Sequence, residues 1–180
     1  AFHRERGQGG MKKLLVVVDM QNDFIGGPLG TKEAEAVVPA VAARIKRAKA
    51  DGDEILFTRD THGDDYPASA EGKKLPVAHC LRGTYGWQID GRLDAAGAKI
   101  LDKPAFGSVA LGEYVRSGGY GEIELVGVCT DICVISNALL VKAFSPETRV
   151  AVRRDCCAGV TPESHENALR AMAVCQIEII

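Results

Sequence analysis

Glu122-Ile-Glu-Leu-Val-Gly-Val-Cys-Thr-Asp-Ile-Cys-Val-Ile-Ser-Asn-Ala138 reads as a buried strand, a sharp turn and the opening of a helix. Ile123, Leu125, Val126 and Val128 form the apolar run, and Gly127 supplies the bend. Asp131 is the expected N-cap, since its carboxylate can accept a bond from an orphan N–H of the first turn. Cys133 then falls at the second helical position, where the positive end of the helix dipole favours thiolate over thiol. The stretch therefore offers a candidate nucleophile. The other reading is a structural thiol, because free cysteine is among the most buried residue types.

Upstream, Lys12-Lys-Leu-Leu-Val-Val-Val-Asp19 is a continuous apolar run ending in an acid. Such a run suits a parallel strand covered on both faces. Thr31 to Asp51 reads as a helix, capped by Thr31 and ended by Gly52, with Val37, Val41, Ile45 and Ala48 on its apolar face. Asp53 to Thr58 is a short strand leading into Arg59-Asp60-Thr61-His62. Gly63 to Asp90 is long and irregular, and a stretch of that kind usually carries function. Ala98 to Leu101 is a third strand, and Ser108 caps a helix that runs to Arg116.

Downstream of the opening stretch, Ser145-Pro146 ends its helix and Thr148 to Val152 is a fifth strand. Asp155 to Gly159 reads as a loop. Thr161-Pro162-Glu163 starts a helix whose core face is Leu169, Met172 and Ala173, and Ile177 to Ile180 is a sixth strand. Strands alternating with helices predict an α/β fold, a parallel sheet with helices on both faces. Right-handed crossovers place every strand's C-terminal end on one edge, where ligands bind in such sheets.

The chain has 180 residues and a formal net charge of −2. Nothing in that balance suggests nucleic acid as a partner, and no apolar run approaches the ~20 residues that span a bilayer. Ala1–Gly10 is polar and Gly-rich, precedes Met11, and is set aside as a probable expression remnant, leaving residues 11–180 as one domain. The six cysteines match no zinc-ribbon or secreted disulfide spacing, so a cytoplasmic chain with reduced thiols is expected.

Two constellations stand out at the strand ends. In the first, Asp19 is placed to act as a base for the Cys133 thiol, with Lys103 as the nearby cation that lowers the thiol pKa. A structural Asp19–Lys103 salt bridge is the alternative. In the second, Asp60 and His62 share one side of an extended segment. With His79 and Glu71 they offer two imidazoles and two carboxylates, a set suited to Zn²⁺, Fe²⁺ or Mn²⁺. Asp-x-His alone is a weak motif, and two unassociated histidines in a polar loop remain the other reading. Cys129-x-x-x-Cys133 also permits a regulatory disulfide.

Taken in order, Val18-Asp19-Met-Gln-Asn-Asp-Phe24, Thr58-Arg-Asp60-Thr-His62, Leu75-Pro-Val-Ala-His79-Cys, Asp102-Lys103-Pro and Gly127-Val-Cys-Thr-Asp-Ile-Cys133-Val are distinctive. From Met11 on, the chain resembles the isochorismatase-like cysteine hydrolases, the nicotinamidases among them. The resemblance implies a three-layer, doubly wound, six-stranded parallel sheet of order 3-2-1-4-5-6. It implies a catalytic triad of Asp19, Lys103 and Cys133, and a divalent metal, zinc first, on Asp60, His62 and His79, with Glu71 as a further ligand. It implies a cis peptide at Val128–Cys129 that aims the N–H groups of Cys129 and Cys133 at one oxygen as an oxyanion hole. Phe24, with Trp87 and Phe106, would wall the pocket.

The expected activity is hydrolysis of nicotinamide to nicotinate and ammonia by a homo-oligomer, dimer or tetramer. Another small carboxamide or N-carbamoyl compound is the alternative, and a non-catalytic binding or redox-sensing protein the alternative of another class. One departure is visible. Many nicotinamidases carry a tryptophan shortly before the second histidine, where Lys74-Leu75-Pro-Val-Ala-His79 has no aromatic.

Overall fold

The computed structural model describes residues 11–180, so the expectation for Ala1–Gly10 lies outside it. In chain order the elements are β1 (Lys13–Val18), α1 (Asn22–Ile25), α2 (Lys32–Asp51), β2 (Glu54–Asp60), a 3₁₀ turn (Tyr66–Ala68) and α3 (Ala70–Lys74). There follow β3 (Lys99–Lys103), α4 (Val109–Arg116), β4 (Glu122–Val128), a π-helical turn (Thr130–Val134), α5 (Ile135–Phe144), β5 (Arg149–Ala158), α6 (Pro162–Val174) and β6 (Glu178–Ile179). The six strands form one parallel sheet of order β3-β2-β1-β4-β5-β6. No helix among the described residues is long and apolar enough to cross a membrane.

The unbroken apolar run of β1 follows from its central place. Leu14, Val16 and Val18 pack with α4, α5 and α6 on one face, while Leu15 and Val17 pack with α2 on the other. Each such side chain, fully buried, contributes about 1.5–3 kcal/mol relative to exposure. The helices α2, α4 and α6 begin where the sequence says they should. Thr31, Ser108 and Thr161 each accept a backbone N–H of the first turn, and Gly52 ends α2 in the left-handed conformation. Gly127 has φ 121°, and a Cβ there would stand 2.2 Å from the Val18 carbonyl oxygen, so only glycine lets β4 approach β1 at this point.

Six expectations are corrected. The buried stripe of α2 uses Val38 rather than Val37, giving Ala34, Val38, Val41, Ile45 and Ala48, and α6 buries Ala168 rather than Ala173. β2 and β3 run on to Asp60 and Lys103, which are register partners. β5 does not stop at Val152 but continues to Ala158 through a register shift opposite Leu125 and Gly127. The polar triplet Arg153-Arg154-Asp155 hid that continuation. Its arginines point away from the core, to Glu124 and Glu166, while Cys156, Cys157 and Ala158 return to it. Finally, Asp131 caps no helix, because a π-helical turn precedes α5.

Glu124 sits inside central strand β4 with its side chain 4% exposed, and two guanidinium groups clasp it. Arg44 Nε donates to it at 2.7 Å and Arg153 Nε at 2.9 Å. Burial pushes the carboxyl up, but the two arginines outweigh it and hold Glu124 below the usual carboxylate value. Its stabilisation is therefore fully present above the unfolded carboxyl pKa of about 4.3 and is lost as pH falls through the folded value. Glu124→Gln is expected to cost about 2–3 kcal/mol at neutral pH, because it leaves two half-buried arginines without a counter-charge. Urea unfolding at neutral and acid pH should show the difference between the proteins shrinking on the acid side.

Candidate active site

The sheet order reverses between β1 and β4, so their C-terminal ends open a crevice. Asp19 follows β1 in the left-handed region at φ 49°. Its N–H donates to the Thr58 carbonyl oxygen at 3.2 Å, and the Thr58 hydroxyl donates to Oδ1 at 2.7 Å. Oδ2 faces Lys103 Nζ, 2.7 Å away, and both side chains are fully buried. The ammonium also lies 3.5 Å from Cys133 Sγ and 3.6 Å from Asp60 Oδ1, and donates to the Ala105 carbonyl at 3.1 Å. Asp19, Lys103 and Cys133, far apart in sequence, are thus brought together around one cation.

Burial decides the charges here. It opposes the Lys103 ammonium, but Asp19, Cys133 and Asp60 outweigh it and hold the amine protonated. Burial raises the Asp19 carboxyl against the pull of Lys103, with Asp60 adding to the rise. Burial and Asp19 push the Cys133 thiol well up, and Lys103 only partly offsets them. The helix-dipole argument favours thiolate at Cys133, whereas burial and Asp19 act in the opposite direction. Burial raises both the Asp19 carboxyl and the Cys133 thiol, and a carboxyl group so placed is a candidate partner for the thiol proton.

A second cluster adjoins the first. Ligating atoms of Asp60, His62, Glu71 and His79 all lie within 4.8 Å of one another. Asp60 Oδ2 is 2.9 Å from His62 Nε2 and 3.3 Å from His79 Nε2, and Glu71 reaches the same nitrogens at 3.8 and 3.7 Å. His79 Nδ1–H donates to the Val77 carbonyl at 2.8 Å, which turns Nε2 toward the cluster. Tyr66 packs against both imidazoles, with ring centroids 4.7 and 5.1 Å away. Asp60 Oδ1 is buried without a hydrogen bond among the described residues. Oδ2, which faces both imidazoles, together with those two nitrogens and the Glu71 carboxylate, is a donor set that fits a divalent cation.

Above these groups is a cavity of about 250 Å³. Phe24, Leu29, Leu75, Phe106, Ile132 and Val160 wall it, and Asp60, Glu71, His79, Cys129 and Cys133 reach its floor. Among the described residues, no arginine or lysine lines it. The Val128–Cys129 peptide is cis. Trp87 is not in the wall, contrary to expectation. Its indole lies under the Arg59 guanidinium at 3.7 Å, and its N–H donates to Thr61 Oγ1 at 2.8 Å. The Trp87 ring is thus committed to bracing the segment that carries Asp60 and His62.

Three buried polar residues escaped the sequence reading: Thr58, Gln21 and Asn137. Asn137 donates to the carbonyls of Cys133 and Phe106 and accepts from Ser108 N–H, so it ties the Cys133 turn to the loop before α4. Each of the three interrupts or ends an apolar run, the signal that marks a buried polar group with a fixed partner.

A family model described as Isochorismatase domain matches residues 13–180. An isochorismatase family protein of Bacillus subtilis, PncA, is 30% identical over 177 residues, covering 91% of this chain and 95% of the relative. A nicotinamidase/pyrazinamidase of Mycobacterium tuberculosis is 28% identical over 185 residues, covering 93% of this chain and 98% of the relative. The solved structure of a Pyrococcus horikoshii pyrazinamidase in complex with zinc superposes with a TM-score of 0.82 at 29% identity, covering 94% of this chain and 98% of that one.

Gln21 is fully buried and clamps Asp60 through its main chain. Nε2 donates to the carbonyls of Asp60 and Trp87, each at 2.8 Å, and Oε1 accepts the Asp60 N–H at 2.7 Å. Gln21→Leu orphans all three backbone groups, so urea unfolding is expected to show a loss of about 3 kcal/mol or more. Gln21→Glu keeps the acceptor but sets a buried carboxyl group against the two carbonyls, and at neutral pH should be destabilised at least as much.

Proposed function

The chain belongs to the isochorismatase family and is a hydrolase of amide C–N bonds, and we propose that it is a metal-dependent cysteine amidohydrolase whose substrate is nicotinamide, released as nicotinate and ammonia. The observation that carries this reading is the buried contact of Lys103 Nζ with both Asp19 Oδ2 and Cys133 Sγ, at 2.7 and 3.5 Å.

In the proposed reaction Asp19 takes the Sγ proton as Cys133 attacks the carboxamide carbon. Lys103 balances the negative charge shared by the carboxyl group and the sulfur. The N–H groups of Cys129 and Cys133 receive the oxyanion of the tetrahedral intermediate. When the C–N bond breaks, Asp19 returns its proton to the leaving nitrogen and ammonia departs, leaving a thioester. Water then adds to the thioester carbon, its proton passing to Asp19. The C–S bond breaks, the acid leaves and Asp19 restores the thiol. Asp60, His62, Glu71 and His79 would hold the divalent metal, zinc first and iron or manganese otherwise. Such an ion supplies Lewis-acid charge and a bound, acidified water.

The wall argues for nicotinamide over the acid-bearing N-carbamoyl alternatives. A substrate carboxylate set against Phe24, Leu75, Phe106 and Ile132 would meet no arginine or lysine among the described residues that line the cavity. Phe24 and Phe106 offer flat surfaces for a neutral ring. Burial, then Asp131 and Asp19, push the Cys129 thiol up to about 12, which gives no support to a redox-sensing role for it.

Cys133→Ala should cut ammonia release from nicotinamide by roughly a thousandfold or more, and full activity in that variant would remove the thiol from the mechanism. A panel of small amides should separate the substrates, with neutral ring carboxamides turned over and N-carbamoyl amino acids left intact. His62→Ala should lose its metal on purification. Elemental analysis that finds it fully loaded would show the ligand set to be wrong.

A further inference from the structure

The π-helical turn Thr130–Val134 carries Cys133 and begins without a capping side chain from Cys129. Its first residues are held from outside. Thr130 is fully buried, and its hydroxyl lies 2.6 Å from Nδ1 of His165, on the first turn of α6. The next residue, Asp131, accepts the Val160 N–H through Oδ1 at 3.1 Å. Consecutive residues of the turn are thereby tied to the segment that starts α6. Gly159 allows that closeness, because a Cβ there would stand 2.9 Å from both Cβ and N of His165. α6 is itself a firm support, closed by the Thr161–Ser164 capping box and packed into the core through Leu169 and Met172.

His165 is one of three histidines among residues 11–180, and the only one the proposed chemistry leaves unused. Burial holds its imidazole below the usual value despite Glu166 close by, so near neutral pH the ring is uncharged and its nitrogens can share a proton with Thr130. Thr130 stands one turn before Cys133. A rotation of the turn at Thr130 therefore moves Sγ against Lys103 and Asp19, where displacements near 1 Å cost large factors in rate. The far side of the turn is already fixed by the bond from Asn137 to the Cys133 carbonyl at 2.8 Å.

We propose that His165, acting through Thr130, is a positioning residue that sets where Cys133 Sγ stands between Asp19 and Lys103. The inference rests on Cys133 being the nucleophile. The test compares His165→Phe, which keeps a ring and loses the nitrogens, with His165→Asn, whose amide can bond from near the Nδ1 position. Thr130→Val and Thr130→Ser form the matching pair. Three quantities are read: kcat and KM for nicotinamide, capture of Cys133 by iodoacetamide followed by peptide mass spectrometry, and the thermal midpoint.

His165→Phe and Thr130→Val should lower kcat roughly ten- to hundredfold, with KM changed by no more than about twofold. Capture of Cys133 should slow in the same variants as Sγ leaves the ammonium. His165→Asn and Thr130→Ser should recover most of both rates, and the double variant His165→Phe/Thr130→Val should be no worse than the poorer single one. The inference is overturned if His165→Phe keeps the wild-type kcat and capture rate. It is also overturned if His165→Asn is as impaired as His165→Phe, or if the two losses multiply. Should His165→Phe not fold, Thr130→Val against Thr130→Ser decides the matter by the same readouts. If the wild type leaves nicotinamide untouched, the substrate reading fails, and the capture series still decides the role of His165.

Discussion

An ammonium with no exposure to solvent is the constraint around which this molecule is built. Lys103 Nζ stands between the carboxylates of Asp19 and Asp60 and within reach of the Cys133 sulfur. A charge so placed is costly unless paired, by several kcal/mol even after relaxation. The compensation comes from the ends of β1 and β2 and from the turn after β4, so the cation makes those ends stay together. Asp60 is the register partner of Lys103 across β2 and β3. The sheet itself therefore presents the two groups side by side. Remove the ammonium and two buried carboxylates would repel across an emptied space. The same requirement that stabilises the ends of the strands creates the acid, the amine and the thiol of the site.

Asp60 joins the two halves of the site. One oxygen faces the ammonium and the other faces the imidazoles of His62 and His79. Its backbone is clamped by Gln21, two residues beyond Asp19. Asp60, Cys129 and Cys133 reach the floor of the cavity from the ends of β2 and β4, and Glu71 and His79 reach it from the segment between β2 and β3. Most of the wall comes from loops and short turns, through Leu29, Leu75, Phe106 and Val160. That division lets one fold keep its chemistry while the shape of the accepted substrate varies with the wall.

Much of this was legible in the chain. The run Leu14 to Val18 could only be a strand covered twice, and the capping residues Thr31, Ser108 and Thr161 marked helix starts that the structure places at the same residues. Asp19, Lys103, Cys133, Asp60, His62, Glu71 and His79 were nameable, since each is a reactive or ligating type near a strand end or in the long loop. What failed were judgments that depend on environment. The state of the Cys133 thiol turns on burial and on the sign of its neighbours, which a dipole argument from local sequence does not contain. The length of β5 turns on a bulge whose polar residues are satisfied by Glu124 and Glu166, on other elements. The place of Trp87 was settled by Arg59 and Thr61, partners that no spacing rule supplies.

The tryptophan that left the pocket wall has an optical consequence. It is the sole indole of the chain. Its ring lies against a guanidinium and its N–H is bonded to Thr61, between Asp60 and His62. Emission excited at the red edge of the protein absorption band therefore comes from one chromophore beside the ligand cluster, undiluted by signal from the core. The molecule carries a native fluorophore at the place where an observer would choose to attach one.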